Sequence, residues 1–344
     1  MTIPIKPAFP SGTRLIISLF ESGSLTNVSG VDVEPDYGYI TRIRYLSGAV
    51  RVTYGSNIGI NPSAASEVVK DKGYAKKLLS WSGFDCPPGE TFVLPWWAAR
   101  IKSDSDGHSS VESLLARVDG QLQYPVYVKP VDGSKGVNVW RCRNDGDLVA
   151  AIRLFDEERI RVAVVECAVD LPDFRLAVLD GGLVAAYQRL PLSIVGDGRS
   201  SISGLLQRRL YELASAGRKI SLNPRDGRVS SRLVALGAKW EDVPAGGQVV
   251  QLLDLSNLSA GGTPVDLTTV VHPRWTELAC RVAREFGLRL CGVDLACNDL
   301  TKADGAYSVL EVNASPGLDH YSSLGIEHDR RVRDLYQRLL NSEP

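Results

Sequence analysis

The run YPVYVKPVDGSKGVNVW, residues 124–140, carries an apolar strand-like segment to a lysine, Lys129, and then straight into a glycine-bearing loop. Far downstream, YSVLEVNASPGLDHY, residues 307–321, repeats the pattern with the opposite sign: a carboxylate, Glu311, interrupts a similar apolar run, and a Ser-Pro-Gly turn follows. Each charge breaks a segment otherwise suited to a core. The two strands together decide how the chain is read.

A lysine at a strand end is ordinarily a solvated edge residue. Here the loop behind it adds Gly133, Ser134, Lys135, Gly136 and Val137, so a hydroxyl, a second ammonium and backbone N–H groups accompany Lys129. Glycines let a backbone approach a ligand closely, and successive amides form a concave anion site. Lys72, in KDKGYAKK, offers a third positive charge, although a solvated helix face accounts for it nearly as well. On the anionic side, strand alternation places Glu311 and Asn313 on one face. In LRLCGVDLAC, residues 288–297, Asp294 shares its face with Gly292 and Ala296, which leave room in front of it. If these strands pair, two carboxylates and an amide oxygen converge. Such an oxygen-only set suits Mg2+ and leaves further positions to phosphates and water; the plainer alternative is a pair of exposed carboxylates on a half-solvated sheet. A third element, VVECAVDLPDFRL, residues 164–176, ends an apolar strand at Glu166 and runs on through Cys167, Ala168 and Val169 as an irregular linker. That is the form of a hinge whose backbone reads an adenine edge, with Asp173 placed for a ribose hydroxyl.

Bulk properties narrow what these groups could serve. The chain has 344 residues, 44% apolar and 23% charged, with a net charge of −1. This length predicts two or three subdomains. Near-neutrality supplies no long-range field for nucleic acid or a membrane surface, so a local basic cluster reads as a site for one small anion. No apolar stretch approaches the ~20 residues that cross a bilayer. The N-terminal MTIPIKPAFPSGTRLIISLF lacks the order of a secretory leader. Six cysteines without a C-x-x-C pair read as thiols in a reducing cytoplasm rather than as disulfides or a zinc site.

The pattern of elements predicts an α+β chain with antiparallel sheets. Residues 1–65 read as short strands and turns, with YITRIRYL and AVRVTYG as a hairpin. SEVVKDKGYAKKLLSWSG reads as one helix stopped by Gly83, and NDGDLVAAIRLFDEE as a helix capped by Asn144. FRLAVLDGGLVAAYQRL forms two strands turning at Asp180-Gly181. Residues 196–270, rich in Gly, Ser and Asn, read as long loops with one or two helices, and HPRWTELACRVAREFGL as a clear amphipathic helix. A last helix is expected at about 328–341. Neither G-x-G-x-x-G after a strand nor a P-loop is present. The expected organisation is an N-terminal region over 1–65, a helical entry and linker over 66–110, a central lid subdomain over 111–188, and a C-terminal subdomain over 189–344 holding the metal site and long inserted loops.

On these residues the chain resembles the ATP-grasp ligases, most closely the ATP-grasp module of cyanophycin synthetase and of bifunctional bacterial glutathione synthetases. The likeness runs over about residues 66–320, through DKGYAKKLLSWSGFDCPPG, YPVYVKPVDGSKGVNV, DFRLAVLDGGLVAAYQRLP, VGDGRSSISGLL, NLSAGGTPVDLTTVVHP and GVDLAC…LEVNASPGLDHY. It implies an ATP-grasp fold in which ATP lies between two antiparallel α+β subdomains. It assigns Lys72 and Lys129 to ATP phosphates, the 133–137 loop to a lid, Glu166 and the backbone after it to adenine, and Asp173 to ribose. It assigns Asp294, Glu311 and Asn313 to Mg2+, two ions, for which Mn2+ can substitute. The implied reaction joins a carboxylate to an amine through an acylphosphate, on amino-acid or short-peptide substrates in the cytoplasm, with homodimers frequent among relatives.

Arg175 and Arg189 match arginines of the cyanophycin-like relatives. Some dipeptide-forming members carry an arginine two residues before the first metal-binding aspartate, where this chain has Gly292, so the oxyanion role is assigned to Arg189. Arg225, in NPRD, is a candidate for a substrate carboxylate. In NLSAGGTP, Asn257, Ser259, Gly261 and Gly262 approach the phosphates or the acceptor, or simply form a tight connection. Ser315, Gly317 and His320 line the acceptor side, with a surface role the plainer reading of the histidine. Two other readings stand beside the ligase of small substrates: an enzyme modifying a carboxylate of a protein or ribosomal peptide, and a kinase or non-catalytic nucleotide-binding module of the same fold. The second ATP-using domain of cyanophycin synthetase and the cysteine-ligase half of the glutathione enzymes have no counterpart in these residues, so neither polymer nor glutathione formation is implied.

Overall fold

The computed structural model describes residues 3, 5–102, 109–134, 136–223 and 225–344. The chain begins with a helix where only strands and turns were expected. In α1 (Ser11–Glu21) Ile16, Ile17 and Leu19 are buried, Ile16 and Leu19 against the first sheet. β-branched residues disguise the segment as a strand, but its burial follows a helical face. β1 (Val28–Val33), β2 (Ile40–Tyr45) and β3 (Val50–Tyr54) form an antiparallel sheet, including the expected hairpin.

The single helix expected next is two: α2 (Ser63–Lys70) and α3 (Lys72–Trp81). Asp71 between them is extended, and its carboxylate accepts from the Gly73 and Tyr74 amides at 2.8 and 3.0 Å. An aspartate that caps a new helix also ends the old one. Gly73 permits the junction to lie against the next strand, since a Cβ there would sit 2.3 Å from the Thr91 methyl. The break places Lys72 in the first turn of α3.

A four-stranded antiparallel sheet follows. β4 (Gly89–Val93) is trailed by α4 (Pro95–Ile101) and α5 (Val111–Gln121); then come β5 (Val126–Pro130), β6 (Trp140–Cys142), α6 (Asp145–Glu157) and β7 (Val162–Cys167). The strand order is β4-β7-β5-β6. Asn144 caps α6 through the Asp147 amide, and Leu148, Ile152 and Phe155 bury one face of that helix beside Leu114 and Val118 of α5.

The second large sheet opens with β8 (Asp173–Leu179) and β9 (Gly182–Leu190). They turn at Asp180 and Gly181, whose φ values of 48° and 75° meet the need of a tight primed hairpin. A module with its own core interrupts the sheet: β10 (Ser193–Val195), α7 (Ile202–Ser215), α8 (Gly227–Ala235) and β11 (Val249–Gln251) bury Leu205, Leu206, Val229, Leu233 and Leu252. The one or two helices expected there are α7 and α8, and what was expected to be long loops around them packs with them into a small unit. β12 (Thr263–Asp266), α9 (Pro273–Glu285), β13 (Leu290–Cys297), β14 (Tyr307–Asn313), α10 (Asp319–Ser322) and α11 (Ile326–Asn341) complete the chain. The sheet order is β12-β9-β8-β13-β14, all antiparallel. Strand pairing therefore joins residues 173–190 to the C-terminal strands, and the 188/189 division drawn from the sequence falls inside β9.

One face of this sheet is apolar. Phe174, Leu176, Val293, Leu295, Val309 and Val312 pack on Trp275, Leu278 and Val282 of α9 and on Leu79 of α3. Burying each such side chain contributes about 1.5–3 kcal/mol. The opposite face is split. One end, with Ala177, Leu179, Ala185 and Tyr187, is covered by Val332, Leu335 and Leu339 of α11 and by Tyr321 of α10. The other end is charged.

Candidate functional site

The charged end is built by register. Asp294 lies opposite Glu311 on one side and Arg175 on the other, and Arg175 and Asp173 of β8 face Tyr187 and Arg189 of β9. Alternation then turns Asp173, Arg175, Arg189, Asp294 and Glu311 to the same face. The Arg175 guanidinium donates to both Asp294 oxygens, the Nη2 contact to Oδ2 being 2.8 Å. Arg189 Nη2 reaches both Asp173 oxygens at 2.7 and 3.0 Å, and Asp294 Oδ2 at 2.9 Å. Two guanidinium groups thus neutralise two buried carboxylates, the condition under which buried charge is tolerated. Burial would raise Asp294, but Arg175 and Arg189 hold it below the ordinary carboxylate range. Burial also lifts Asp173, to about 6, against the charge of Arg189 and with the help of Asp294.

Gly292 has a specific part in this arrangement. A Cβ there would lie 2.9 Å from Pro316 Cβ and 3.0 Å from Arg175 Cδ. The space that the sequence leaves before Asp294 is filled by the shaft of Arg175 and by the Ser315–Gly317 turn.

The second half of the site comes from the four-stranded sheet. Lys129 of β5 pairs with Glu166 of β7, and Lys76 of α3 pairs with the other Glu166 oxygen at 2.6 Å. Lys76 was not singled out from the sequence; its spacing from Lys72, one helical turn, was the available signal. Lys72 joins the two sheets: its backbone N–H donates to Val131 O at 2.9 Å, its ammonium donates to Gly133 O, and the same ammonium lies 3.3 Å from Glu311 Oε1. Lys72, Lys76, Lys129, Glu166 and Glu311 line one crevice, floored by Val69, Leu79 and Val312. Burial would lower the Lys129 ammonium, but Glu166 raises it, with Glu311 and Asp294 adding across the crevice. Glu166, which burial would raise, is held low by Lys129 and Lys76.

The remaining candidates surround this crevice. In the glycine loop, the Val137 amide donates to Ser134 O at 3.2 Å and Gly136 has a φ of 68°; Lys135 lies outside the described residues. A Cβ at Gly136 would meet Asn257 Nδ2 at 3.1 Å, so the two loops touch. Asn257 caps a single 3-10 turn through Ser259, Gly261 takes a φ of 98°, and a Cβ on Gly262 would come within 2.7 Å of Leu190 O. NLSAGGTP is thus a tight connection that adjoins the glycine loop. Of the hinge amides, Cys167 donates to Pro88 O at 2.8 Å and Ala168 to Pro125 O at 2.9 Å. Those two cannot donate to a ligand, and only the Val169 amide lacks a protein acceptor among the described residues. Arg225 is exposed, and it is Arg228 whose Nη1 meets Gly136 O, at 3.4 Å. His320 Nδ1 accepts from Arg218 Nε at 3.3 Å.

The donor set fits a hard cation. Asp294, Glu311 and the Asn313 carbonyl bring oxygen donors to one face. In this structure the Asp294 oxygens are held by Arg175 and Arg189, and Glu311 by Lys72, cations that must give way to a metal. The buried Asn313 Nδ2, without a partner among the described residues, is a donor for a phosphate oxygen rather than for the cation. Two carboxylates and one amide leave the rest of a coordination sphere to phosphate oxygens and water. All six cysteines are free thiols.

A sequence model of the RimK-like ATP-grasp domain matches residues 254–335. Cyanophycin synthetase of Synechocystis sp. is 30% identical over 281 residues, which is 78% of this chain and 29% of that protein. The glutathione biosynthesis bifunctional protein of Enterococcus faecalis is 25% identical over 274 residues, 73% of this chain and 32% of that protein. The chain thus spans less than a third of the length of the curated relatives it matches. Among solved structures, the bifunctional glutathione synthetase from Pasteurella multocida superposes with a TM-score of 0.59 at 21% identity, over 96% of this chain and 45% of that one.

Proposed function

We propose that this chain, which carries a RimK-like ATP-grasp domain on an α+β ATP-grasp fold, is an ADP-forming carboxylate–amine ligase acting in the cytoplasm on amino acids or short peptides. The observation that carries the reading is the shared crevice. Lys129 from one sheet and Glu311 from the other face each other across it, and Lys72 touches both sides.

In this reading ATP enters between the sheets, and Lys72 and Lys129 turn from Glu311 and Glu166 to the phosphates. A triphosphate carries about four negative charges, which must be neutralised before a carboxylate can approach. Lys76 keeps Glu166 compensated when Lys129 turns away. The Val169 amide meets the adenine edge, and Asp173 retains lone pairs for a ribose hydroxyl. The 133–137 loop closes over the phosphates and excludes water, which would otherwise hydrolyse the activated acid.

Asp294, Glu311 and Asn313 would hold Mg2+, which when bound spreads the developing charge on the phosphoryl oxygens. The substrate carboxylate oxygen bonds to the γ-phosphorus as the bond to the β,γ-bridging oxygen breaks, releasing ADP. An amine nitrogen then attacks the acyl carbon, loses a proton, and phosphate departs. Arg189, with Arg175 beside it, offers N–H groups to the tetrahedral oxyanion between these steps.

Purified protein incubated with ATP, Mg2+ and amino acids or short peptides in pairs tests this. Phosphate release that requires both partners is expected. ADP accompanied by a stable phosphorylated product, with no need for an amine, would instead identify a kinase. A companion result concerns the residue missed in the sequence. Lys76→Met leaves Glu166 to Lys129 alone, and KM for ATP is expected to rise about tenfold, the scale of one charged hydrogen bond. An unchanged KM for ATP would remove Lys76 from the site.

A further inference from the structure

The inserted module brings one more cation to the edge of the charged face. Arg218, in the segment after α7, is half-buried, and its Nη2 donates to the carbonyls of Leu258 and Gly262 at 2.7 Å each, while Nε donates to His320. These acceptors are uncharged. Arg175, Arg189 and Arg228 each hold a carboxylate, whereas Arg218 has none within ion-pair distance among the described residues. A second arginine acts on it: Arg209 Nη2 donates to Thr263 Oγ1 at 3.2 Å, its Nη1 lies 3.5 Å from the exposed Glu212 carboxylate one turn along α7, and its charge acts unfavourably on Arg218.

The location is next to the chemistry. Gly262 leads into β12, whose Thr263 and Pro264 pair with Leu190 and Arg189. Leu258 packs in the cluster that contains Tyr187, the register partner of Arg175. His320 sits in the helix that follows the turn after Glu311 and Asn313. The Arg218 guanidinium bonds directly only to neutral groups, and the charge of Asp319 acts on it favourably without an ion pair. Burial and Arg209 still hold it below the ordinary arginine range, and an anion in contact would complete it.

We propose that Arg218 and Arg209 form a subsite for a free carboxylate on one of the two substrates, remote from the carbonyl that reacts. With Nε and both Nη2 hydrogens of Arg218 already donated, its Nη1 is left to donate to one carboxylate oxygen while the Arg209 guanidinium donates to the other. This deepens the ligase reading and rests on it. It confines at least one substrate to amino acids or peptides with an unmasked carboxylate, and it moves substrate recognition from the exposed Arg225 to the inserted module.

The test uses the full chain, ATP and the same amino-acid pairs, with the carboxylate of the amine partner and then a second carboxylate of the acid partner replaced by a carboxamide. In the unmodified protein one of these amides is expected to raise KM about 10- to 100-fold, with kcat much less affected. In Arg218→Gln the free acid loses a similar factor, and acid and amide become equal; Arg218→Lys recovers part of the difference. A residue that only props up the Leu258–Gly262 turn would weaken acid and amide alike and keep their ratio, which would overturn the subsite. Equal KM for acid and amide in the unmodified protein would overturn it too, while ligation itself stood. Absence of ADP with every pair would instead count against the ligase reading and the subsite together, and KM for ATP with the melting temperature distinguishes a misfolded variant from either.

Discussion

Glu311→Gln is expected to lower ADP formation by at least about a thousandfold, since a ligand to the phosphate-bound cation contributes several kcal/mol of transition-state stabilisation. The fold should survive. The Glu311 side chain is 31% exposed and that of Lys72 13%; their ion pair, at 3.3 Å, is not tight, and Lys72 keeps the Gly133 carbonyl when Glu311 is neutralised. Such a pair contributes about 1 kcal/mol or less, so the melting temperature should move by no more than about 2 °C. Glutamine keeps the shape and the strand register opposite Asp294 while removing the charge. Full activity in this variant would remove the metal assignment for Glu311. A collapse in melting temperature would make the residue structural.

Arg189→Met has the opposite profile. Its guanidinium is 14% exposed and contacts both Asp173 and Asp294. Removing it leaves two buried carboxylates to Arg175 alone, a loss that costs about 3–5 kcal/mol and lowers the melting temperature by on the order of 5–10 °C. The sign of the pH dependence follows from Asp173. Its folded-state pKa, about 6, already exceeds the unfolded value, so its contribution is complete at low pH and is lost as pH rises through 6. Without Arg189 the carboxyl rises further, and the deficit should be larger at pH 8 than at pH 5. The double variant Arg189→Met, Asp173→Asn should regain more than half of the loss, because the uncompensated charge is gone. Urea melts at both pH values check this, and equal deficits at pH 5 and pH 8 would contradict it.

These two residues also show what the sequence could and could not convey. Alternation within LCGVD and LEVN was enough to place Asp294, Glu311 and Asn313 on one face, and the strands do pair with Asp294 opposite Glu311. The Asp180-Gly181 turn and the Asn144 cap were equally legible, since each depends on neighbouring residues alone. Arg175 against Asp294 was not. The two are separated by 119 residues, and only the register of β8 on β13 brings them together. Lys76 was hidden for another reason: KDKGYAKK presents several lysines on one short helix, and composition cannot tell which of them turn inward. The restart of that helix at Lys72 depends on Asp71 leaving helical geometry, a choice that packing of Gly73 on Thr91 settles. In α1 and in the 191–262 module, burial overrode local preference, giving a helix from β-branched residues and a packed unit from a Gly- and Ser-rich stretch.

Ligation of the proposed kind requires both sheets to close on one nucleotide. A crystal structure of the full chain with a non-hydrolysable ATP analogue and Mg2+ tests it most directly. The triphosphate is expected in the crevice between β5 and β14, with the Lys129 and Lys72 ammonium groups on its oxygens and Glu311 and Asp294 on the cation beside it. An analogue bound elsewhere, or one whose phosphates leave Lys129 on Glu166 and Glu311 on Lys72, would contradict it.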